Sequence, residues 1–166
     1  MDSSSSTLPG LNAFHPERRH HPIVVGVDGS SGSYAAVRWC AEVADAHGVD
    51  VVAVHVVDLT GIVGVYGAFT DAALYDDSWR AKLHDEMRAA WCQPLADRRV
   101  SFDCRVEDGP AASVMEDVAD ELDAQLVVVG RQGAGRIAEM ILGSLPHRLA
   151  HRCDRPLVIV PEEDGR

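Results

Sequence analysis

Three glycines and a serine stand as Gly130-x-x-Gly133, nine residues, then Gly143-Ser144, directly after the apolar run Leu126-Val127-Val128-Val129. That spacing between a strand and a helix is what a phosphate-wrapping loop needs. Glycine lets the main chain approach an anion, the peptide N–H groups can turn inward, and a helix N-terminus adds partial positive charge. A serine hydroxyl can donate to a phosphate oxygen. Arg131 and Arg136 flank the glycines and could add charge-assisted bonds. The alternative is an ordinary strand-to-helix connection with glycines for turning and surface arginines. Asp28 ends the apolar run Ile23-Val24-Val25-Gly26-Val27. Its carboxylate could accept from an adenine amino group or a ribose hydroxyl. Equally, Asp28-Gly29-Ser30-Ser31 is good turn and helix-capping chemistry.

Other polar residues carry less. His55 lies inside an apolar stretch and reads as a satisfied core histidine. His147 and His151 are four apart, which puts both on one helix face. No HExxH pattern supports metal binding there, and a solvated face accounts for them. The segment Gly133 to Ala138 matches the GxGxxA dinucleotide fingerprint. It is discounted because that fingerprint belongs to a first strand-helix turn, with an acidic residue ending a following strand. GxxxxGK[ST] and GxSxG are absent.

Composition narrows the field. With 166 residues the chain can bury the core of one domain. A net charge of −11 argues against a nucleic-acid surface, which needs clustered Lys and Arg. Cys40, Cys92, Cys104 and Cys153 are scattered without CxxC spacing, and read as small buried hydrophobes or surface thiols. There is no apolar stretch long enough to span a membrane and no signal-peptide pattern, so the expected compartment is the cytoplasm.

The elements that must position these residues follow from periodicity. Residues 1–21 read as a mobile tail and 162–166 as a polar one, leaving a domain over 22–161. A strand over Ile23–Val27 leads to a helix from about Gly32 to His47, ended by Gly48. Val51 to Val57 is a second strand. Asp58 to about Tyr75 is unpatterned, and loops that long generally cover a site or move. One helix is expected from roughly Asp76 to Leu95, with Pro94 near its end. A third strand, about Arg99 to Val106, alternates and is placed at a sheet edge. Gly109-Pro110 opens a third helix, Leu126–Val129 is the fourth strand, and a final helix holds Ile137, Ile141, Leu142, Leu145 and Leu149. Arg155–Val160 is the fifth strand. The βαβαβαβαβ order predicts an open, doubly wound parallel α/β sheet of five strands with helices on both faces. Ligands bind such sheets at the carboxyl ends of the strands flanking the switch point. If strands one and four are neighbours there, Asp28 and Gly130 face one crevice.

Together these residues resemble the universal stress protein family, in its UspA-like, ATP-binding branch. The resemblance rests on Val24 to Ser30, on the glycine signature Gly130, Gly133, Gly143 and Ser144, and on the closing Arg155 to Val160. Gly109-Pro110 is also similar, and about residues 22–161 are covered. The family implies a Rossmann-like sheet ordered 3-2-1-4-5. It implies Val27 and Asp28 on the adenine and ribose side and Val56 against adenine through its backbone. Gly130, Gly133, Gly143 and Ser144 would hold phosphates and Leu145 would add a backbone N–H, with Arg131 beside them as the candidate its own position suggests. It implies ATP with Mg²⁺ as ligand, and a nucleotide-dependent stress sensor acting as a homodimer paired through Arg155–Val160, not an enzyme. Pro146 stands where many members carry a small hydroxyl residue, and proline has no N–H to donate. Related sequences with proline there include cyclic AMP binders, so cyclic AMP is the alternative ligand and slow ATP hydrolysis the alternative activity.

Overall fold

The computed structural model describes residues 21–58, 77–132 and 144–162. Of the tails expected at 1–21 and 162–166, residues 1–20 and 163–166 lie outside the described residues, as do the unpatterned loop from residue 59, Gly133, Arg136 and Gly143. Five parallel strands form one sheet: β1 (Ile23–Gly26), β2 (Val51–Val57), β3 (Phe102–Asp108), β4 (Leu126–Gly130) and β5 (Leu157–Val160), in the order β3-β2-β1-β4-β5. That is the expected 3-2-1-4-5 order. β3 lies at one edge, as its alternation predicts, and β5 at the other. β1 pairs with both β2 and β4, aligning Val25 with Ala53 on one side and Val128 on the other.

The near-continuous apolar runs exist because both faces are covered. Along β1, Ile23 and Val25 face one core with α1 (Ser31–His47), while Val24 faces a second core with α4 (Ala111–Glu121) and α5 (Ser144–Arg152). Successive strand side chains point to opposite faces, so a strand with apolar residues at every position must be buried on both. On α1, Ala36, Val37, Cys40, Ala41 and Ala44 recur at helical spacing and are buried. Ser30 caps its N-terminus, with its side chain accepting from the Ser33 N–H, and Gly48 closes it with an N–H to the Ala44 carbonyl.

The single helix expected over 76–95 is replaced by three pieces. α2 spans Asp77–Glu86, a π-helical turn spans Met87–Trp91, and α3 is the short Gln93–Asp97. Pro94 opens α3 instead of ending the helix before it. Its missing N–H is harmless only in a first turn, so the ladder must restart there. The Cys92 N–H reaches back 2.8 Å to the Met87 carbonyl, five residues away, which widens the turn and re-aims Trp91. β3 starts at Phe102, later than the expected Arg99, because Arg99 takes φ 56° in the tight turn that ends α3. β5 begins at Leu157, later than the expected Arg155. Arg155 is instead drawn to the end of α4, its guanidinium 3.0 Å from Asp120 Oδ1 and 3.1 Å from Asp123 Oδ1.

Candidate functional site

The chain leaves β1 through Val27, whose N–H donates to the Val54 carbonyl at 2.9 Å and extends the sheet by one residue. Asp28 follows. Its Oδ1 accepts from the Ser30 N–H at 3.0 Å and from the Ser30 hydroxyl at 2.5 Å. The Asp28 N–H donates in turn to Ser33 Oγ at 3.3 Å, and the Ser33 hydroxyl donates to the Ser30 carbonyl at 3.0 Å. One carboxylate oxygen thus holds the serine that caps α1. The turn-forming role of Asp28, one of the two the sequence allowed, is present in the structure.

β4 meets this turn from the other side. A Cβ on Gly130 would lie 2.4 Å from the carbonyl carbon and oxygen of Gly32. A Cβ on Gly32 would lie 2.0 Å from the Gln132 carbonyl oxygen. Both contacts are closer than any side chain tolerates, so glycine is needed at each for the end of β4 to lie on the start of α1. Gly32 carries no spacing signal of its own; only the close approach reveals it. The Arg131 N–H donates to the Val160 carbonyl at 2.7 Å, and its side chain is exposed. Arg131's backbone therefore serves the sheet while its guanidinium remains at the surface.

The third wall was not legible beforehand. Trp91, brought round by the π-turn, lies against Gly29, where a Cβ would sit 3.0 Å from the indole. Gly29 has φ 76°, a left-handed conformation that glycine adopts freely. The His55 ring meets Trp91 edge-on, with centroids 5.2 Å apart at 68°. His55 Nδ1 is 2.8 Å from the Val27 carbonyl, which can only accept, so Nδ1 carries the proton. His55 is thus the satisfied histidine its sequence position predicts, and it ties β2 to the end of β1.

Among the expected residues, the fold brings Val27, Asp28, Gly130 and Arg131 together at the adjacent carboxyl ends of β1 and β4. Val56 lies next in β2, half-buried and packed toward the α4 face. Ser144 and Leu145 begin α5, with Leu145 packed on the same face and Pro146 within the first helical turn. Gly133 and Gly143 fall outside the described residues. His147 and His151 sit ring against ring, centroids 4.7 Å apart. Among the described residues no three His, Cys, Asp or Glu side chains gather as metal ligands, and no helix is long and apolar enough to cross a membrane.

The strand order defines an open doubly wound α/β domain whose candidate site lies at the β1/β4 switch point. The model of the universal stress protein family matches residues 20–161, and the chain belongs to that family. A universal stress protein of Mycolicibacterium smegmatis is 33% identical over 141 residues, covering 84% of this chain and 45% of the relative. This chain spans about half the length of the curated relatives it matches. The fold is similar to a universal stress protein solved in complex with cAMP, with TM-score 0.57 and 25% identity over 87% of this chain and 98% of that one. It is also similar to one from Archaeoglobus fulgidus in complex with dAMP, with TM-score 0.58 and 23% identity over 84% and 96%.

Proposed function

We propose that this chain binds an adenine nucleotide in the β1/β4 crevice and acts in the cytoplasm as a nucleotide-dependent stress regulator. ATP with Mg²⁺ is the ligand, and the protein works as a homodimer, as a binder and not as a catalyst. The observation that carries this reading is the packing of Gly130 on Gly32. It sets the first glycine of the Gly130-x-x-Gly133 signature beside the positive end of α1, with Asp28 one strand away. The cAMP bound by the similar protein supports an adenine nucleotide as the class of ligand.

In this reading Asp28 and Val27 take the base and ribose side, with the Val56 backbone against adenine. The peptides of Gly130, Gly133, Gly143, Ser144 and Leu145 take the phosphates, and the exposed Arg131 guanidinium can reach an anion from the rim. Mg²⁺ fits as an ion carried by the triphosphate, since it keeps waters and takes phosphate oxygens readily. A regulatory reading is preferred because phosphoryl transfer needs a positioned nucleophile and metal ligands. Asp28 Oδ1 is already engaged by two donors from Ser30. The net charge of −11 disfavours nucleic acid as partner. Homodimerisation is supported by β5, an apolar strand with an unpaired edge among the described strands.

Cyclic AMP is the second reading. Pro146 in the first turn of α5 offers no N–H to a γ-phosphate, and the similar protein solved with cAMP points the same way. Calorimetric titration with ATP–Mg²⁺ and with cAMP, on native protein and on Gly133→Val, tests both. Saturable ATP binding lost in the variant supports the first reading, and tight cAMP binding with feeble ATP binding supports the second. A folded protein that binds neither overturns both.

A further inference from the structure

We propose that Cys92 and Cys104 are an oxidisable dithiol that closes to an intrachain disulfide when the protein meets hydrogen peroxide. The pair lies beside the candidate crevice, Cys92 following Trp91 in the chain, and the proposal stands whether or not that crevice binds a ligand.

The two sulfurs lie 3.9 Å apart, within the hydrogen-bonding range of thiols. A disulfide needs about 2.05 Å, so closure asks for an approach of roughly 2 Å shared between two side chains. The residues come from different elements. Cys92 ends the π-turn and Cys104 sits in the edge strand β3. Among the described strands β3 is paired on one side only, and the segment carrying Cys92 is a wide turn followed by the short α3. Neither belongs to the central strand β1, which pairs with β2 and β4.

The surroundings give the two thiols unequal character. Cys92 is fully buried, while Cys104 keeps 5% of its surface exposed. The Arg88 guanidinium stands 4.8 Å above the Phe102 ring, two residues before Cys104 on the same strand. The hydrogen bond between the two sulfurs, helped by the charge of Arg88, holds the Cys104 thiol below its ordinary value against the burial that raises it. The hydrogen bond with Cys104 and burial push Cys92 up. Cys104, the one of the two with exposed surface, is where peroxide arrives first, and Cys92, 3.9 Å away, is the resolving thiol.

The chemistry balances with peroxide as the only oxidant. The Cys104 thiolate attacks one peroxide oxygen, the O–O bond breaks, and hydroxide leaves and is protonated to water. Cys104 is now a sulfenic acid. The Cys92 sulfur attacks the Cys104 sulfur, the S–S bond forms and the S–O bond breaks. The departing hydroxide takes the Cys92 proton and leaves as a second water. Each sulfur loses one electron and each peroxide oxygen gains one.

Neither of the other cysteines is as well placed. Cys40 shares the core with the pair, but its thiol is pushed up by burial and stays protonated. Cys153 is half-exposed and packs on the opposite face of the sheet.

The test uses the full chain with Cys153→Ser, which removes the accessible competitor. Folded protein is treated with stoichiometric hydrogen peroxide and its whole mass taken; it is then unfolded in maleimide and digested without reductant. The expected result is loss of two blockable thiols, a mass lower by about 2 Da, and one cross-linked peptide joining Cys92 to Cys104. In Cys92→Ser, Cys104 should instead be trapped as a sulfenic acid by dimedone. A native protein that keeps its three remaining thiols, a cross-link that uses Cys40, or a disulfide that forms only in denaturant would each overturn the proposal.

Discussion

Gly32 and Gly130 touch backbone to backbone: the Cβ that Gly130 lacks would stand 2.4 Å from the Gly32 carbonyl. The contact presses the start of α1 onto the end of β4 at the switch point. Neither position can accept a methyl group without moving the helix. Gly32→Ala or Gly130→Ala should destabilise the fold by about 1–3 kcal/mol, the usual range for forced overpacking. Urea unfolding measures this, and an unchanged midpoint in both variants would show that the packing is looser than described.

Asp28 carries two roles that substitution can separate. Asp28→Ala removes the acceptor for Ser30 and should cost about 1 kcal/mol of stability, as loss of a helix-start hydrogen bond does. Asp28→Asn keeps an oxygen for Ser30 but loses the charge. It should melt close to the native protein while binding nucleotide at least about tenfold more weakly, a difference of about 1.4 kcal/mol. If the Asn variant binds as tightly as the native chain, the carboxylate serves the turn alone.

Trp91 is expected to line the base side of the crevice, since it lies on Gly29 and meets His55 edge-on. Trp91→Ala should weaken nucleotide binding by about tenfold, in line with roughly 0.5–1.5 kcal/mol for an aromatic pair. Trp91→Phe should restore most of it. Equal affinities in native protein, Ala and Phe variants would place the base elsewhere.

On β5 the carbonyls of Pro156 and Val160 face β4, accepting from Val127 and Arg131. By the two-residue period of a strand, the N–H of Ile159 faces outward. Ile159→Pro removes that donor at an edge, the place in a sheet where proline is tolerated. Light scattering should find native dimers and variant monomers, with far-ultraviolet dichroism unchanged. A dimeric variant would move the interface away from this strand.

Burial pushes the Cys40 thiol above its ordinary value of 9.0. Its folded value is the higher one, so the unfolded chain releases the proton first as pH rises. The contribution of Cys40 is fully present below about pH 9 and is lost above it by up to about 1.4 kcal/mol per pH unit. Cys40→Ala should flatten that alkaline loss. Unfolding midpoints at about pH 8 to 10 measure it, and parallel slopes in the two proteins would remove Cys40 as its cause.

Sheet order was legible in the sequence, and with it the adjacency of the strands that end at Asp28 and Gly130. The apolar runs at Ile23–Val27 and Leu126–Val129 mark strands buried on both faces, and the glycine signature after the latter marks a strand-to-helix loop. Trp91 was not legible as part of the site. Its spacing reads as one more apolar position on a continuous helix, and only the Cys92-to-Met87 bond turns it toward Gly29. Gly32 was hidden for a similar reason. A glycine near a helix start has several uses, and its need appears only when the Gln132 carbonyl occupies the place of its Cβ.

The sequence by itself determined the alternation of strands and helices, the two-sided burial of the sheet and the residues at the strand ends. These follow from local periodicity and from the backbone limits of glycine and proline. The tertiary structure alone decided which distant groups meet. It set Gly32 under Gly130, Trp91 beside His55, and Cys92 within 3.9 Å of Cys104. The physical reason is that such contacts depend on how whole elements pack. A widened helical turn or a helix pressed onto a strand end re-aims side chains by ångströms that no residue spacing records.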